Sequence, residues 1–158
     1  MNRALLIIAF SLCLLGCIDN KPVFEKNLTV DKSGWSYDES LQFEVPVKIQ
    51  PDTFDLFVNV RYNKQFPWRN LWVNINTEFP GGSSSEARLN LKLESSKGES
   101  YGKCTGDICF VRIPVQYHAI FPDSGTYIFT IEQDMRVNPI KEIEQIGLRV
   151  ERSKADKT

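Results

Sequence analysis

Apolar and polar residues alternate in Leu41-Gln42-Phe43-Glu44-Val45-Pro46-Val47-Lys48-Ile49, and they alternate again in Phe54-Asp55-Leu56-Phe57-Val58-Asn59-Val60-Arg61-Tyr62. A period of two is typical of strands that bury one face. Pro51-Asp52 between the two stretches is a turn signal and predicts that they form a hairpin. Pro46 has no backbone N–H to donate, so we expect its strand to lie at a sheet edge or to carry a bulge.

The same period recurs through the rest of the chain, and no stretch predicts a long helix. The further runs are Leu71, Val73 and Ile75; Ala87, Leu89, Leu91 and Leu93; Val111, Ile113, Val115 and Tyr117; Tyr127, Phe129 and Ile131; and Ile146, Leu148 and Val150. Turn residues separate them, most clearly in the Pro80–Ser85 loop. We predict an all-β fold: a single antiparallel β-sandwich over residues 34–152, immunoglobulin-like or jelly-roll-like, with about 7 to 8 strands.

One local motif favours the sandwich. Asp123-Ser124-Gly125-Thr126-Tyr127 matches the D-x-G-x-Y corner that precedes the penultimate strand of immunoglobulin-like domains, where the tyrosine hydroxyl bonds to backbone. The inter-sheet disulfide of antibody domains would need a cysteine two residues later, and Phe129 stands there. The motif therefore predicts a structural corner at Asp123, Gly125 and Tyr127 without that bridge.

The N-terminus is typical of a bacterial lipoprotein. Arg3 precedes a largely apolar run from Ala4 to Leu15, and Leu14-Leu15-Gly16-Cys17 places a thiol directly after a small residue. The run is shorter than the roughly 20 residues that a membrane-spanning helix needs. We predict a signal peptide at residues 1–16 and a lipid on Cys17. Residues 17–33 are interpreted as a tether with a possible first strand, and residues 153–158 as a polar tail.

The remaining cysteines, Cys104 and Cys109, flank a glycine-containing turn. An exported chain meets an oxidising compartment, so a disulfide across a hairpin is the favoured interpretation. A redox-active cysteine pair would need C-x-x-C spacing at a helix N-terminus. A zinc site would need two further ligands from His118 and scattered carboxylates, and free thiols also remain open.

Nothing in the sequence points to catalysis. His118 is the only histidine, and the chain has no nucleophile elbow, no H-E-x-x-H and no phosphate loop. The formal net charge of −1 gives no electrostatic reason for binding nucleic acid or an acidic lipid surface. We expect no enzymatic activity, no cofactor and no metal.

The densest aromatic cluster is Phe66-Pro67-Trp68-Arg69-Asn70-Leu71-Trp72. Tryptophan beside arginine is common in contact surfaces, so Trp68, Arg69, Asn70 and Trp72 form the candidate partner surface. Packing of Trp72 on its strand and of Trp68 over the end of the sandwich remains an equal alternative. A surface-exposed carbohydrate-binding module is the other functional hypothesis, with Trp68, Trp72 and Tyr62 as stacking platforms.

Three stretches together resemble the gliding-motility lipoprotein H (GldH) family of the Bacteroidota. The first is Phe54–Tyr62, and the second is Phe66–Trp72, which is similar to the family's Y-P-Y-x-N-L-W. The third begins at Gly125–Tyr127 and continues through Glu132-Gln133-Asp134-Met135-Arg136 to Ile143-Glu144-Gln145-Ile146-Gly147-Leu148-Arg149-Val150-Glu151. Phe66 and Trp68 stand where the family usually has tyrosines, and the Cys104/Cys109 pair is an addition of this chain.

The resemblance implies a cell-envelope lipoprotein needed for gliding, linked to type IX secretion and without known enzymatic activity. The expected role is structural or in assembly, with other envelope proteins of that machinery as partners and the outer membrane as location. Ile18 after Cys17 gives no inner-membrane retention signal, and Ile18-Asp19-Asn20-Lys21 is poor in acidic residues for surface export. We therefore favour the periplasmic face, with exposure on the cell surface as the alternative.

Overall fold

The computed structural model describes residues 21–48 and 52–154, so residues 1–20 (with the predicted signal peptide and Cys17), 49–51 and 155–158 lie outside the described residues. The described residues form two antiparallel sheets, which confirms the predicted β-sandwich class. Among them no helix is long and apolar enough to span a membrane. The strands are β1 (Phe24–Thr29), β2 (Leu41–Val47), β3 (Phe54–Asn63), β4 (Asn70–Glu78), β5 (Ser84–Lys92), β6 (Lys103–Thr105), β7 (Ile108–Ala119), β8 (Gly125–Gln133) and β9 (Ile143–Arg152).

Among the described strands, only β4 and β5, and β6 and β7, follow one another in sequence and are also neighbours in a sheet. One sheet has the order β1-β9-β3-β7-β6 and the other has β2-β8-β4-β5. The predicted hairpin of β2 with β3 is therefore wrong, because β2 pairs with β8 while β3 pairs with β7 and β9. A turn signal marks a change of direction, but it does not specify whether the next strand stays in the same sheet. Pro46 lies on β2, an edge strand, as predicted.

The described strands number nine, one more than the upper prediction. The additional strand is β6, which is only three residues long and pairs with the start of β7. Three residues are too few to give an alternating pattern, so sequence periodicity could not reveal it. β1 pairs with β9 along its whole length, and residues 24–29 are therefore part of the sandwich body.

The core lies between the sheets and is built by the alternating positions. Phe43, Val58, Leu71, Ile131 and Leu148 are each almost completely inaccessible to solvent. Burial of one such side chain contributes about 1.5 to 3 kcal/mol, so the paired inner faces supply most of the stabilisation. No buried side-chain nitrogen or oxygen of the described residues lacks a hydrogen bond.

The strand directions give the sandwich two ends. At the N-terminal end, Phe24 pairs with Val150, Phe54 pairs with Arg152, and Val47 pairs with Gly125. At the other end β8 finishes at Gln133 beside Val73 of β4. β8 is nine residues long. At about 3.3 Å per residue, roughly 25 Å therefore separates the two ends.

A polar cluster covers the outer face of the five-stranded sheet. It consists of Glu25 and Asn27 on β1, Asn59 on β3, Arg112 on β7, and Arg149 and Glu151 on β9. Asn59 Nδ2 donates to Glu25 Oε1 at 2.9 Å and to Asn27 Oδ1 at 3.1 Å. Arg112 Nη2 donates to the same Glu25 oxygen at 2.9 Å, and Arg149 Nη2 donates to Glu151 Oε2 at 2.8 Å. The cluster thus ties four strands together.

Burial within this cluster acts against the charged forms of its members. For Glu25, partial burial raises the pKa, but the hydrogen bond from Asn59 and the charge of Arg149 outweigh it, so the net pKa is lowered. For Arg149, burial lowers the pKa, while hydrogen bonds to Glu151 and Glu25 raise it above the ordinary value. Both side chains are therefore held in their charged forms at neutral pH.

Candidate functional site

The predicted aromatic cluster lies at a groove at the end of the sandwich opposite the N-terminal end. The groove has a volume of about 320 Å³. It is lined by Trp68, Asn70, Trp72, Arg88, Asp134, Met135, Arg136 and Val137. Three of the four predicted surface residues therefore share one depression, and we call it the Trp68 groove.

Strand periodicity explains why these side chains meet. Leu71 and Val73 of β4 point into the core, so Asn70 and Trp72 point outward. Trp68 precedes β4 on the same face and is half-buried. Its ring packs edge-on against buried Phe66 at a centroid distance of 5.2 Å, which anchors it to the core.

Trp72 forms one wall of the groove and is held on several sides. The Arg88 guanidinium lies 4.1 Å from the centre of the Trp72 ring and makes an ion pair with Asp134. The backbone N–H of Asp134 donates to the Trp72 carbonyl at 2.8 Å, and the Trp72 N–H donates to Met135 Sδ at 3.3 Å. The wall is therefore preorganised, since its side chain and backbone both have fixed neighbours.

The segment after β8 forms the opposite wall. Trp35 and Ile140 exchange two backbone hydrogen bonds at 2.8 and 3.0 Å, and Trp35 is fully buried. Asn138 Oδ1 accepts the backbone N–H of Tyr37 at 2.9 Å. These contacts fix residues 134–140, while Val137 remains 45% exposed at the rim of the Trp68 groove. An exposed apolar residue beside two tryptophans is suited to contact with another molecule.

Other predicted surface residues behave differently. Arg69 is exposed but does not line the Trp68 groove. The suggestion of Tyr62 as a stacking platform is wrong, because its side chain is fully buried and donates to Ser100 Oγ at 3.1 Å. One face of Trp72 is covered by Arg88, so Trp68 remains the best placed of the three proposed sugar platforms.

Sequence reasoning missed the partners that complete the groove. Arg88 lies on β5, Asp134 directly follows β8, and Arg136 and Val137 follow it. Asp134, Met135 and Arg136 belong to the stretch that carries the family resemblance, which was the available signal. Arg88 carried no such signal in the sequence, because only the pairing of β5 with β4 brings it beside Trp72.

Cys104 and Cys109 are directly paired across β6 and β7 and form a disulfide. Cys109 is buried, whereas Cys104 is exposed. Gly106 has a φ of +60° in the turn between them, a conformation that glycine adopts without strain. The bridge lies far along β7 from His118, which is exposed, and no group of three or more metal-binding side chains occurs among the described residues.

The corner residues pack as one unit at the N-terminal end. The Tyr127 hydroxyl donates to the Asp123 carbonyl at 3.1 Å and accepts the Asp123 N–H at 3.2 Å. Gly125 has a φ of +141°, and a Cβ there would meet Pro80 at 2.7 Å. A side chain is therefore excluded at this position by both backbone conformation and space.

Fold and groove together define an all-β sandwich protein with a preorganised aromatic groove. The model of the GldH lipoprotein family matches residues 22–150, so the chain belongs to that family. It is 28% identical over 154 residues to the gliding motility lipoprotein GldH homolog of Christiangramia forsetii, covering 93% of this chain and 94% of the relative. It is likewise 28% identical over 157 residues to the gliding motility lipoprotein GldH of Flavobacterium johnsoniae, covering 95% and 96%.

Proposed function

We propose that this chain is an outer-membrane lipoprotein with a structural or assembly role in the gliding motility machinery, linked to type IX secretion. A lipid on Cys17 holds it on the periplasmic face, and the Trp68 groove binds another envelope protein of that machinery. The role is exerted by binding, without catalysis and without a cofactor.

The observation that carries the proposal is the groove itself. Trp68 and Trp72 supply a large contact area, Val137 adds an exposed apolar rim, and Arg136 is available for polar contacts. The fixed neighbours of Trp72 reduce the ordering cost of binding. Family membership and the names of the two relatives support the link to gliding.

Complementation of a gliding bacterium that lacks its own gene for this protein tests both the lipid anchor and the Trp68 groove. Cys17→Ala should accumulate in the soluble fraction and fail to restore gliding. Trp68→Ala and Val137→Asp should remain in the membrane fraction, be as abundant as wild type and fail to restore gliding. Normal gliding by a soluble Cys17→Ala form would refute the anchor, and normal gliding by the Trp68→Ala/Val137→Asp double variant would refute the groove.

Tyr101→Ala is the matched control, because Tyr101 is an aromatic residue with 61% exposure that does not line the Trp68 groove. Cells that carry this variant should glide normally. Val137→Asp guards against loss through misfolding, since its exposed side chain contributes little to the core. Glycan binding by the purified protein that is lost in Trp68→Ala, with gliding intact, would instead favour the carbohydrate-binding alternative.

A further inference from the structure

The N-terminal end of the sandwich carries a second groove, separate from the Trp68 groove. It has a volume of about 270 Å³ and is lined by Val23, Val45, Pro46, Val47, Lys48, Phe54, Phe121, Val150 and Arg152. Most of these residues are apolar. Its lining includes residues of β2 in one sheet and of β3 and β9 in the other, so the groove reaches from one sheet to the other.

Two exposed apolar residues lie at this groove or beside it. Ile120, next to the groove residue Phe121, is 72% exposed, and Val23 is 51% exposed. Val23 is held in place, because its N–H donates to the Val150 carbonyl at 2.8 Å. Phe121 packs at 5.3 Å from Phe54 and 4.7 Å from Tyr127, so the segment that presents Ile120 is anchored to the core. A fixed apolar patch of this kind is typical of an interaction surface.

The length of chain before this end limits what can cover it. Val23 is six residues after Cys17. Six residues span at most roughly 20 Å when fully extended. A lipid on Cys17 therefore keeps this end within reach of the bilayer, whereas the Trp68 groove lies roughly 25 Å further along β8.

We propose that the N-terminal end of the sandwich lies on a phospholipid surface, with the exposed side chains of Val23 and Ile120 inserted at the level of the headgroups. Lys48, on the rim, places its ammonium where lipid phosphates lie while its methylene chain stays against the apolar groove. The Trp68 groove then faces away from the bilayer. This inference deepens the proposed function and rests on the lipid anchor at Cys17.

The test uses mature protein that begins at acylated Cys17, reconstituted into phosphatidylethanolamine and phosphatidylglycerol vesicles. An environment-sensitive fluorophore is attached through Ile120→Cys. The control carries the fluorophore through Ser96→Cys, an exposed turn position at the end of the sandwich that holds the Trp68 groove. The native pair Cys104 and Cys109 forms a disulfide and leaves the new thiol for labelling. We expect blue-shifted emission and slowed aqueous quenching at position 120, and neither change at position 96.

Flotation of the same vesicles distinguishes failure of this inference from failure of the lipid anchor. Protein that floats while the fluorophores at positions 120 and 96 are quenched equally fast overturns this inference and leaves the anchor intact. Protein that does not float overturns the anchor and this inference with it. As a second variant, Ile120→Glu with the fluorophore at Val23→Cys should lose the shielding that Val23→Cys shows alone.

Discussion

Asn27 lies directly over Gly147, so that a Cβ at position 147 would come within 1.9 Å of Asn27 Oδ1 and 2.9 Å of the Lys26 carbonyl oxygen. Gly147→Ala should therefore push Asn27 away from Asn59 and strain the pairing of β1 with β9. We expect a loss of about 1 to 3 kcal/mol in the free energy of unfolding. Urea unfolding of the two proteins measures it.

The double variant Asn27→Ala/Gly147→Ala is the control for this prediction. Removing the amide relieves the closest contact but leaves the Lys26 carbonyl, so only part of the loss should be recovered. Equal stability of wild type and Gly147→Ala would show that β1 can move aside at no cost, contrary to the close approach.

The lowered pKa of Glu25 predicts an acid-dependent loss of stability. A carboxyl whose folded pKa lies below its unfolded value of about 4.5 stabilises the fold above that pH, and this contribution disappears as the pH falls through the lowered folded pKa. Urea midpoints measured from pH 7 down to pH 3 should fall more steeply for wild type than for Glu25→Gln. Parallel curves would contradict the prediction.

Cys104 and Cys109 close a very short loop, so their bridge should stabilise the fold only modestly. The chain-entropy account gives about 2 kcal/mol for a loop of this size. The Cys104→Ser/Cys109→Ala double variant should remain folded and lose about that amount in denaturant unfolding. Mass spectrometry of unreduced, alkylated protein should find no label on either residue, and labelling of both would remove the bridge.

The Tyr127 hydroxyl makes two hydrogen bonds to the backbone of Asp123. Tyr127→Phe keeps the buried ring beside Phe79 and Phe121 but leaves those backbone groups without this partner. We expect a loss of about 1 to 2 kcal/mol. Faster amide hydrogen exchange should be confined to residues 121–127, and exchange that rises evenly through the core would argue against a local corner.

Much of the fold could be predicted, because burial of one face leaves a period of two in the sequence. Leu71 and Val73 on β4 and Ile146 and Leu148 on β9 are examples, and all four are buried. Sheet membership could not be predicted in the same way. The alternation of β2 is the same whether it pairs with β3 or with β8, and only packing of the whole chain decides between them.

The candidate site was predictable only in part, for a related reason. Trp68 and Trp72 stood out because tryptophan is rare and the two are close in sequence. Arg88 is sixteen positions after Trp72, and its role depends on the register of β5 against β4. The cluster around Arg149 was equally hidden, since its members come from four strands that are far apart in the chain.

The position of β9 has a consequence for how the protein is made. β9 lies between β1 and β3, so β1, the first of the described strands, can join its sheet only after β9, the last of them, has been synthesised. Contacts so distant in sequence make closure slow. β1 therefore remains unpaired until β9 has been made, and this late pairing is compatible with the export signal proposed at residues 1–16.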